Sequence, residues 1–428
     1  MTARPTADLA ERRRKKLGPA YELFYDQPVH LVRGEGVWLY DADGKKYLDM
    51  YNNVPHVGHC HPQVVEALTR QIAMLNTHTR YLHENVVELA ERLTAKLPEE
   101  LDVAMFSCTG SEANELALRI ARACSGGEGI VIVDYAYHGN THILAQASMS
   151  YRPGDVKPPY IETVPSPDIF RGEFQGDDAG ERYAELIEAA LDAMRANGVK
   201  PAAFLIDTII SSNGVLDVPS GYLEKAAEII RAAGGLFIAD EVQPGFGRTG
   251  EHFWGFEKHG VVPDIVTVGK PIGNGHPLAS TVTRMDLAQR FAATTDYFNT
   301  FGGNPVSAAA GIAVLDVIER EKLQQNALRV GNYLLAGLRK LAAKHELIGD
   351  VRGTGLFLGV DLVTDKASRT PATQAAHALT NDLHEHGILT NPIGKHSNIL
   401  KLRPPMVFSS ENAEFFLNTF ARCIGDIA

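Results

Sequence analysis

The stretch DIVTVGKPIGNGHPLAS, residues 264–280, places a lysine directly after a short apolar run. Residues 265–269 are typical of the end of a buried strand, and Lys270 is followed by a turn rich in glycine and proline. Removing an ammonium group from water is costly, so surface exposure is the ordinary explanation for Lys270. The alternative is chemical, because desolvation lowers the pKa of an amine and makes it a nucleophile, as in lysines that form Schiff bases.

The composition of the 428-residue chain is ordinary for a globular protein, with 45% hydrophobic and 22% charged residues. The length indicates about two or three domains. The net charge of −11 disfavours nucleic acids and anionic membranes as partners. The basic run ERRRKK, residues 11–16, is either a nucleic-acid or targeting patch or the solvated face of a short helix. We favour the helix, since no second basic cluster accompanies the run.

The cysteines Cys60, Cys108, Cys124 and Cys423 are scattered along the chain and form no C-x-x-C pair. This pattern predicts reduced thiols and a cytoplasmic location. The N-terminal segment lacks an apolar leader, and no run of about 18 apolar residues occurs. We therefore expect a protein that is neither secreted nor embedded in a membrane.

Strand and helix patterns alternate from about residue 62. A probable hairpin precedes them in GVWLYDADGKKYLDM, residues 36–50, with the turn signal Asp43-Gly44. Near-continuous apolar strands such as GIVIVDY and AAFLIDT alternate with amphipathic helices such as GYLEKAAEIIRAAG. This alternation predicts an α/β fold with a mostly parallel sheet covered on both faces. A long helical region then runs from about residue 305 to 345, followed by the strands of a separate α+β unit.

The segment SCTGSEANELALRIAR, residues 107–122, leaves a strand, turns at Gly110 and enters a helix. Thr109 and Glu112 have the spacing of a capping box. The free N–H groups at such a helix start bind phosphate, and the Ser111 hydroxyl can add to them. An ordinary capped helix explains the same residues.

The segment LFIADEVQPGFGRTG, residues 236–250, ends an apolar strand with Asp240 and Glu241. Carboxylates at this end of a strand lie where open α/β sheets bind ligands. The glycines that follow match the spacing G-x-G-x-x-G, but the acidic residues precede them and EHFWGFEKHG is a poor crossover helix. We interpret the spacing as a glycine-rich loop and not as a dinucleotide site.

The segment PHVGHCHPQ, residues 55–63, collects His56, His59, Cys60 and His61, which suggests zinc. The spacing fits neither the helical H-E-x-x-H motif nor a paired C-x-x-C motif, so we predict no metal site.

The segments at residues 107–122, 236–250 and 264–280 together fit the chemistry of one cofactor. Pyridoxal 5'-phosphate (PLP) would use all three features: the helix start at Gly110 for its phosphate, Asp240 and Lys270. The lysine would form the Schiff base, and the carboxylate would pair with the pyridinium nitrogen.

From about Leu17 to Phe416, the sequence resembles the class III aminotransferases, PLP enzymes of fold type I. The resemblance implies a large, mostly parallel-sheet domain that binds PLP at residues 56–305, and a smaller α+β domain built from both ends of the chain. The smaller domain takes residues 1–55 and 306–428, the latter including an interdomain helix. The resemblance also implies a homodimer with shared active sites and a small amine as substrate.

The resemblance assigns roles to individual residues. Lys270 carries the cofactor and acts with Asp240 in catalysis. The remaining cofactor residues are the phosphate-binding Gly110 and Ser111, the ring neighbours Tyr137, His138, Val242 and Gln243, and Thr300, which crosses the dimer interface to the neighbouring phosphate. A core position for Tyr137 and a turn position for Thr300 are the alternatives.

Two departures from the family pattern concern substrate recognition. At DTIISSNG, residues 207–214, Asp207 takes the first acidic place of a Glu-Pro-Val-Gln-Gly-Glu-Gly-like stretch, and Ser212 replaces the second glutamate. In KLRPP, Lys401 stands where many members have the arginine that binds the substrate α-carboxylate, with Arg403 two residues on. A lysine does not replace the bidentate guanidinium fork.

Several stretches resemble the ethanolamine-phosphate phospho-lyases within the family: YNNVPHVGHCHP, LNTHTRYLHEN, VPDIVTVGKPIGNGHP, YFNTFGGNPVS, LIGDVRGTGLFLG and SRTPAT. We therefore expect a phospho-lyase acting on a phosphorylated amino alcohol such as O-phosphoethanolamine, with Arg80, Lys401 and Arg403 as candidate substrate residues. The alternatives are an ω-type aminotransferase using pyruvate or 2-oxoglutarate and, outside enzymes, a nucleic-acid-binding protein led by ERRRKK.

Overall fold

The structure is a computed structural model that describes residues 6–148 and 157–427. The strands of these ranges are β1 (Leu31–Glu35), β2 (Trp38–Asp41), β3 (Lys46–Asp49), β4 (Val103–Ser107), β5 (Gly129–Val133), β6 (Ile161–Val164), β7 (Pro201–Asp207), β8 (Leu236–Asp240), β9 (Ile265–Val268), β10 (Ala279–Thr283), β11 (Ile348–Thr354), β12 (Phe357–Leu362), β13 (Ile388–Leu389), β14 (Asn391–Ile393) and β15 (Ile399–Leu402). The helices are α1 (Thr6–Leu17), α2 (Pro62–Ile72), α3 (Glu84–Thr94), α4 (Gly110–Ser125), α5 (His142–Ala147), α6 (Ala179–Ala196), α7 (Tyr222–Ala232), α8 (Met285–Ala292), α9 (Pro305–Arg320), α10 (Leu323–Ala342), α11 (Thr373–Glu385) and α12 (Ser410–Ile427).

A seven-stranded sheet forms the centre of the molecule, in the order β4-β10-β9-β8-β7-β5-β6. Only β10 runs against its neighbours, and the other strands are parallel. Strands β5 and β9 are buried along their whole length, as expected for a sheet covered on both faces. The predicted α/β fold with a mostly parallel sheet is confirmed. Because β4, β7, β8 and β9 are parallel, their carboxyl ends meet at one edge, and this edge positions the functional site.

Two smaller four-stranded sheets lie outside the central one. In the first, the predicted hairpin is confirmed as β2 and β3, and Gly44 in its turn has φ +85°. Strand β3 also pairs in parallel with β13, which joins the N-terminal segment to the C-terminal one. The second sheet, in the order β11-β12-β15-β14, is antiparallel. The domain boundaries at residues 55/56 and 305/306 stay predictions.

Three local features refine the sequence analysis. The long helical region is two helices, α9 and α10, because the chain turns at Lys322, whose φ of +52° lies in the left-handed region. The ERRRKK run lies on α1, which has no buried residue, as expected for a solvated helix. All four cysteines are free. Among the helices of the described ranges, none has the length and apolar character needed to cross a bilayer.

A buried ion network ties the β11-β12 sheet to the loop after β7. Arg352 on β11 is 4% exposed, and both its terminal nitrogens lie 3.1 Å from Asp361 Oδ2 on β12. Its Nε donates to the carbonyl groups of Gly214 and Val215 at 3.1 Å. Asp361 is fully buried and also accepts from Arg171. Arg352 also donates to the partly exposed Asp350 at 2.8 Å, so two carboxylates and two guanidinium groups form one network.

Removing the charge of Asp361 is expected to destabilise the fold strongly, because it leaves Arg171 without its ion-pair partner and Arg352 with the partly exposed Asp350 alone. For Asp361→Asn we expect the free energy of unfolding to fall by about 3–5 kcal/mol. Urea unfolding followed by tryptophan fluorescence measures the change. The matched control is Asp178→Asn, whose partner Arg182 is 3.8 Å away in an exposed pair, and for which we expect less than about 1 kcal/mol. Equal unfolding midpoints for the two variants would contradict this account.

Candidate active site

A cavity of about 320 Å³ opens at the carboxyl edge of the central sheet. It gathers residues from the ends of β4, β7, β8 and β9 and from the loop before α5. Of the nine predicted cofactor residues, eight line it: Gly110, Ser111, Tyr137, His138, Asp240, Val242, Gln243 and Lys270. The fold therefore brings together residues from distant segments that strand ends and the family resemblance had indicated.

The start of α4 forms one wall of the cavity. The predicted capping box is present: Thr109 Oγ1 accepts from the Glu112 N–H at 3.1 Å, and Glu112 Oε2 accepts from the Thr109 N–H at 3.2 Å. The first N–H groups of the helix, those of Gly110 and Ser111, have no acceptor within the helix. They lie at its electropositive N-terminal end. A Cβ atom on Gly110 would lie 2.9 Å from Val242 Cγ1, so only glycine allows this close packing.

The Asp240 carboxylate lies at the end of β8 and is 5% exposed. Its Oδ2 accepts from Asn114 Nδ2 at 2.9 Å and is 2.8 Å from His138 Nδ1, while Oδ1 accepts from the Val242 N–H at 3.1 Å. Asn114 is itself fixed, since its Oδ1 accepts from Thr267 Oγ1 at 2.6 Å. These contacts hold the carboxylate in one orientation. Sequence analysis did not single out Asn114. Its position one helical turn after Ser111 in α4 was the feature that could have indicated a place beside the site.

Lys270 begins a short 3-10 helix, Lys270–Gly273, directly after β9. Burial and then the nearby Arg403 lower the pKa of its amine to about 8, against the opposing effect of Asp240 and Asp207. Within the described part of the chain, no hydrogen bond or ion pair engages Nζ. A lysine in this setting has a substantial free-amine fraction near neutral pH, which is the condition for nucleophilic or basic chemistry.

A second polar layer lies behind Gln243. Gln243 Oε1 accepts from Arg403 Nη1 and, at 3.3 Å, from Lys401 Nζ. On its other side, Gln243 Nε2 donates to Ser211 Oγ at 2.5 Å, and the Ser211 hydroxyl donates to Asp207. Lys401 and Arg403 are 3% and 7% exposed and do not line the cavity. Burial, followed by Arg403, holds the pKa of Lys401 well below its usual range.

Arg80 and Thr300 are exposed and do not line the cavity of their own chain. The Arg80 guanidinium lies 4.1 Å from the ring centroid of Phe298. Ser212 lines a small crevice behind Tyr137 and His138. Of the predicted substrate residues, the structure therefore places Lys401 and Arg403 beside Gln243, and it places Arg80 apart from them.

The histidines of residues 55–63 face separate partners. His56 Nε2 donates to the Phe246 carbonyl at 2.9 Å, His59 Nε2 is 2.7 Å from Asp49, and His61 Nε2 is 3.2 Å from Glu321. They do not converge on a common point. Each is used in the local packing of this segment.

The cavity offers the three groups that PLP requires. The start of α4 suits the phosphate, the oriented Asp240 carboxylate suits the protonated ring nitrogen, and the desolvated Lys270 amine suits the aldehyde. All three line the same cavity of about 320 Å³. The residues present therefore fit the cofactor.

Comparisons with known proteins agree with this chemistry. A family model described as aminotransferase class III matches residues 23–424. A Drosophila melanogaster protein named alanine–glyoxylate aminotransferase 2-like is 45% identical, over 96% of this chain and 86% of its own. A Caenorhabditis elegans protein named ethanolamine-phosphate phospho-lyase homolog 1 is 38% identical, over 96% and 91%. Relatives in Arabidopsis thaliana and Homo sapiens are named as mitochondrial.

Among solved structures, a phospholyase from Arthrobacter in complex with phosphoethanolamine has the same fold, with a TM-score of 0.94. Its sequence is 43% identical, and the match covers 98% of this chain and 99% of that one. The likeness therefore extends over all three sheets and is not confined to the cavity.

Lys270 is predicted to be the residue that carries the cofactor. Borohydride treatment of the yellow holoenzyme is expected to fix the cofactor covalently on the peptide that contains Lys270, and Lys270→Ala is expected to abolish both fixation and turnover. Peptide mapping by mass spectrometry identifies the modified residue. Lys401→Met is the matched control, because Lys401 is also a buried lysine, and it should retain fixation at Lys270. Recovery of the label on any other lysine would show the assignment to be wrong.

Proposed function

The chain belongs to the class III aminotransferase family, has fold type I of the PLP enzymes and uses PLP; from this premise we propose that it is a phospho-lyase. Its substrate is a phosphorylated amino alcohol such as O-phosphoethanolamine, from which it eliminates phosphate and ammonia. The main observation behind this proposal concerns Lys401, which is buried and contacts Gln243. Many family members have a carboxylate-binding arginine at the position of Lys401. The Arthrobacter phospholyase, solved with phosphoethanolamine, supports the same choice.

The recognition groups around Gln243 favour a substrate without an α-carboxylate. Arg403 already bonds Asn53 Oδ1 at 3.0 Å and Gln243, and its guanidinium lies 4.4 Å from the ring centroid of Tyr51. Lys401 has no planar fork for a carboxylate, and its lowered pKa reduces the positive charge that it carries. A phosphorylated amine needs positive potential near its phosphate and does not need a bidentate partner for a carboxylate. We therefore propose that Arg403 supplies most of this potential from behind Gln243 and that Lys401 adds to it when protonated.

The chemistry divides between the cofactor and the chain. When bound, PLP supplies a covalent link to the substrate amine and an electron sink for the charge left when a proton is removed from the adjacent carbon. Lys270 takes that proton as general base, since its lowered pKa keeps part of the amine free. Asp240, oriented by Asn114 and His138, would pair with the ring nitrogen and favour its protonated form. The carbon–oxygen bond to phosphate then breaks, and water converts the remainder to an aldehyde and ammonia.

The alternative function is an ω-type aminotransferase that passes the amino group to pyruvate or 2-oxoglutarate. The Drosophila relative named as an aminotransferase supports it. Both reactions begin with the same proton transfer to Lys270. They differ in whether phosphate leaves from the substrate or the amino group is kept for transfer to the keto acid.

We also propose that the protein works as a homodimer with shared active sites. The surface around Arg80 and Thr300 exposes large apolar side chains: Leu82 is fully exposed, Met74 is 75% exposed and Phe301 is 68% exposed. Apolar groups clustered in this way favour a protein partner. A second copy would bury them and bring Thr300 to the neighbouring cavity, which its own chain does not do.

For cellular location we propose the cytoplasm, because the four cysteines are free thiols. Mitochondria are the alternative, since several relatives carry mitochondrial names.

Asp240 is expected to control the rate more than cofactor binding. Asp240→Asn keeps the shape but removes the charge that favours ring protonation, so turnover should fall by about a hundredfold or more. Steady-state turnover together with the cofactor content measured by absorbance separates the two effects. Asp286→Asn, which changes an exposed carboxylate on α8, is the control. Activity of Asp240→Asn within about threefold of wild type would refute this role.

The reaction itself is decided by products formed without a keto acid. With O-phosphoethanolamine alone, we expect equal amounts of phosphate, ammonia and aldehyde over many turnovers, with little of the cofactor converted to its aminated form. With alanine or glutamate alone, we expect slow conversion, because Lys401 has no planar fork for the α-carboxylate and Arg403 is already bonded to Asn53 and Gln243. Rapid conversion by a plain amine or amino acid, without phosphate release from any phospho-amine, would establish the aminotransferase instead.

A further inference from the structure

Three potential metal ligands converge where the end of α11 packs against α12. Asp382 and His386 are one helical turn apart at the C-terminal end of α11, and Cys423 comes from α12. One carboxylate oxygen, one imidazole nitrogen and the sulfur all lie within 4.8 Å of one another. Across residues 6–148 and 157–427, this is the one group of three such side chains with metal-ligand spacing. It lies outside the cavity that holds Lys270.

The separations match those between zinc ligands. His386 Nδ1 is 3.2 Å from Asp382 Oδ1 and 3.7 Å from Cys423 Sγ. With tetrahedral angles and ordinary zinc bonds, the nitrogen–oxygen and nitrogen–sulfur edges are about 3.3 Å and 3.6 Å. Both observed distances agree with these edges to within about 0.2 Å.

Hydrogen bonding alone leaves this group incompletely satisfied. His386 Nδ1 is 2.9 Å from the Asp382 carbonyl, as in an ordinary helix end. Asp382 Oδ2, however, is buried without a hydrogen-bond partner. Buried carboxylate oxygens are nearly always paired, so this atom calls for a donor or a cation.

The Cys423 thiol is held neutral by the same surroundings. Burial, together with Asp382, raises the pKa of Cys423 to about 12. A divalent cation reverses this balance, because it binds the thiolate and the carboxylate together and releases the thiol proton. The His386 side chain is 33% exposed, which leaves a path for the ion from solvent.

We propose that Asp382, His386 and Cys423 form a zinc-binding site that joins α11 to α12. Zinc suits the mixed sulfur, nitrogen and oxygen set, with water or the Asp382 carbonyl as fourth ligand. His386 binds through Nδ1 and keeps its proton on Nε2. Sequence analysis did not find this site, because Cys423 lies 37 residues from His386 and the three residues form no known motif. The site is independent of the phospho-lyase proposal.

Cobalt titration of the chelator-treated holoenzyme tests the site directly. Co²⁺ should bind one ion per chain and give the visible bands of a tetrahedral site, at wavelengths longer than the cofactor absorbs, together with a thiolate charge-transfer band. Zn²⁺ should displace it and raise the thermal unfolding midpoint. Cys423→Ser and His386→Asn should each weaken binding by about a hundredfold or more.

Cys124→Ser is the matched control, because Cys124 is a partly buried thiol on α4, and it should bind cobalt as the wild type does. If Cys423→Ser does not fold, the partly exposed His386→Asn decides the question. Absence of a thiolate band, or an equal zinc effect in wild type and His386→Asn, would overturn the proposal. None of these readouts depends on lyase or aminotransferase activity.

Discussion

The Asp240 carboxylate receives hydrogen bonds from three separate parts of the fold: Asn114 on α4, the ring of His138, and the Val242 backbone. An anion this far from water persists only when its donors are fixed. The parallel strands fix them, because α4 leaves β4 and the His138 loop leaves β5 at the same sheet edge. The arrangement of the cavity therefore depends on strand direction as much as on the identity of Asp240.

Charge balance extends this constraint to the surrounding polar groups. Lys270, Lys401 and Arg403 lie close enough that each lysine's pKa falls partly because of Arg403. Asp240 and Asp207 oppose that effect, and Gln243 stands between Lys401 and Arg403 on one side and the cavity on the other. The lowered pKa of Lys270 therefore comes first from burial and then from the charges of the whole cluster, not from one neighbour.

The sequence predicted the residues that belong to strand ends and missed those that depend on tertiary contact. Asp240, Lys270 and Gly110 follow apolar strands, and parallel strands bring such ends together, so local pattern combined with the family resemblance was sufficient for them. Asn114 bonds Asp240, 126 residues away, and Ser211 bonds Gln243, 32 residues away. A local sequence pattern does not predict contacts over such separations. The turn at Lys322 was also missed, since the helical pattern continues on both sides of it. The roles of Arg80 and Thr300 depend on a second chain, which one sequence does not position.

The pairing of β3 with β13 has a consequence for how the chain is made. Strand β3 finds its parallel neighbour only at Ile388 and Leu389. At ordinary ribosome speeds, the roughly 340 intervening residues take about 20 to 70 s to appear. For that interval β3 has an open edge, and open edges recruit other strands. Newly made copies on one messenger RNA are thus exposed to mispairing with each other, and a slower rate of initiation is the simplest cellular means of keeping them apart.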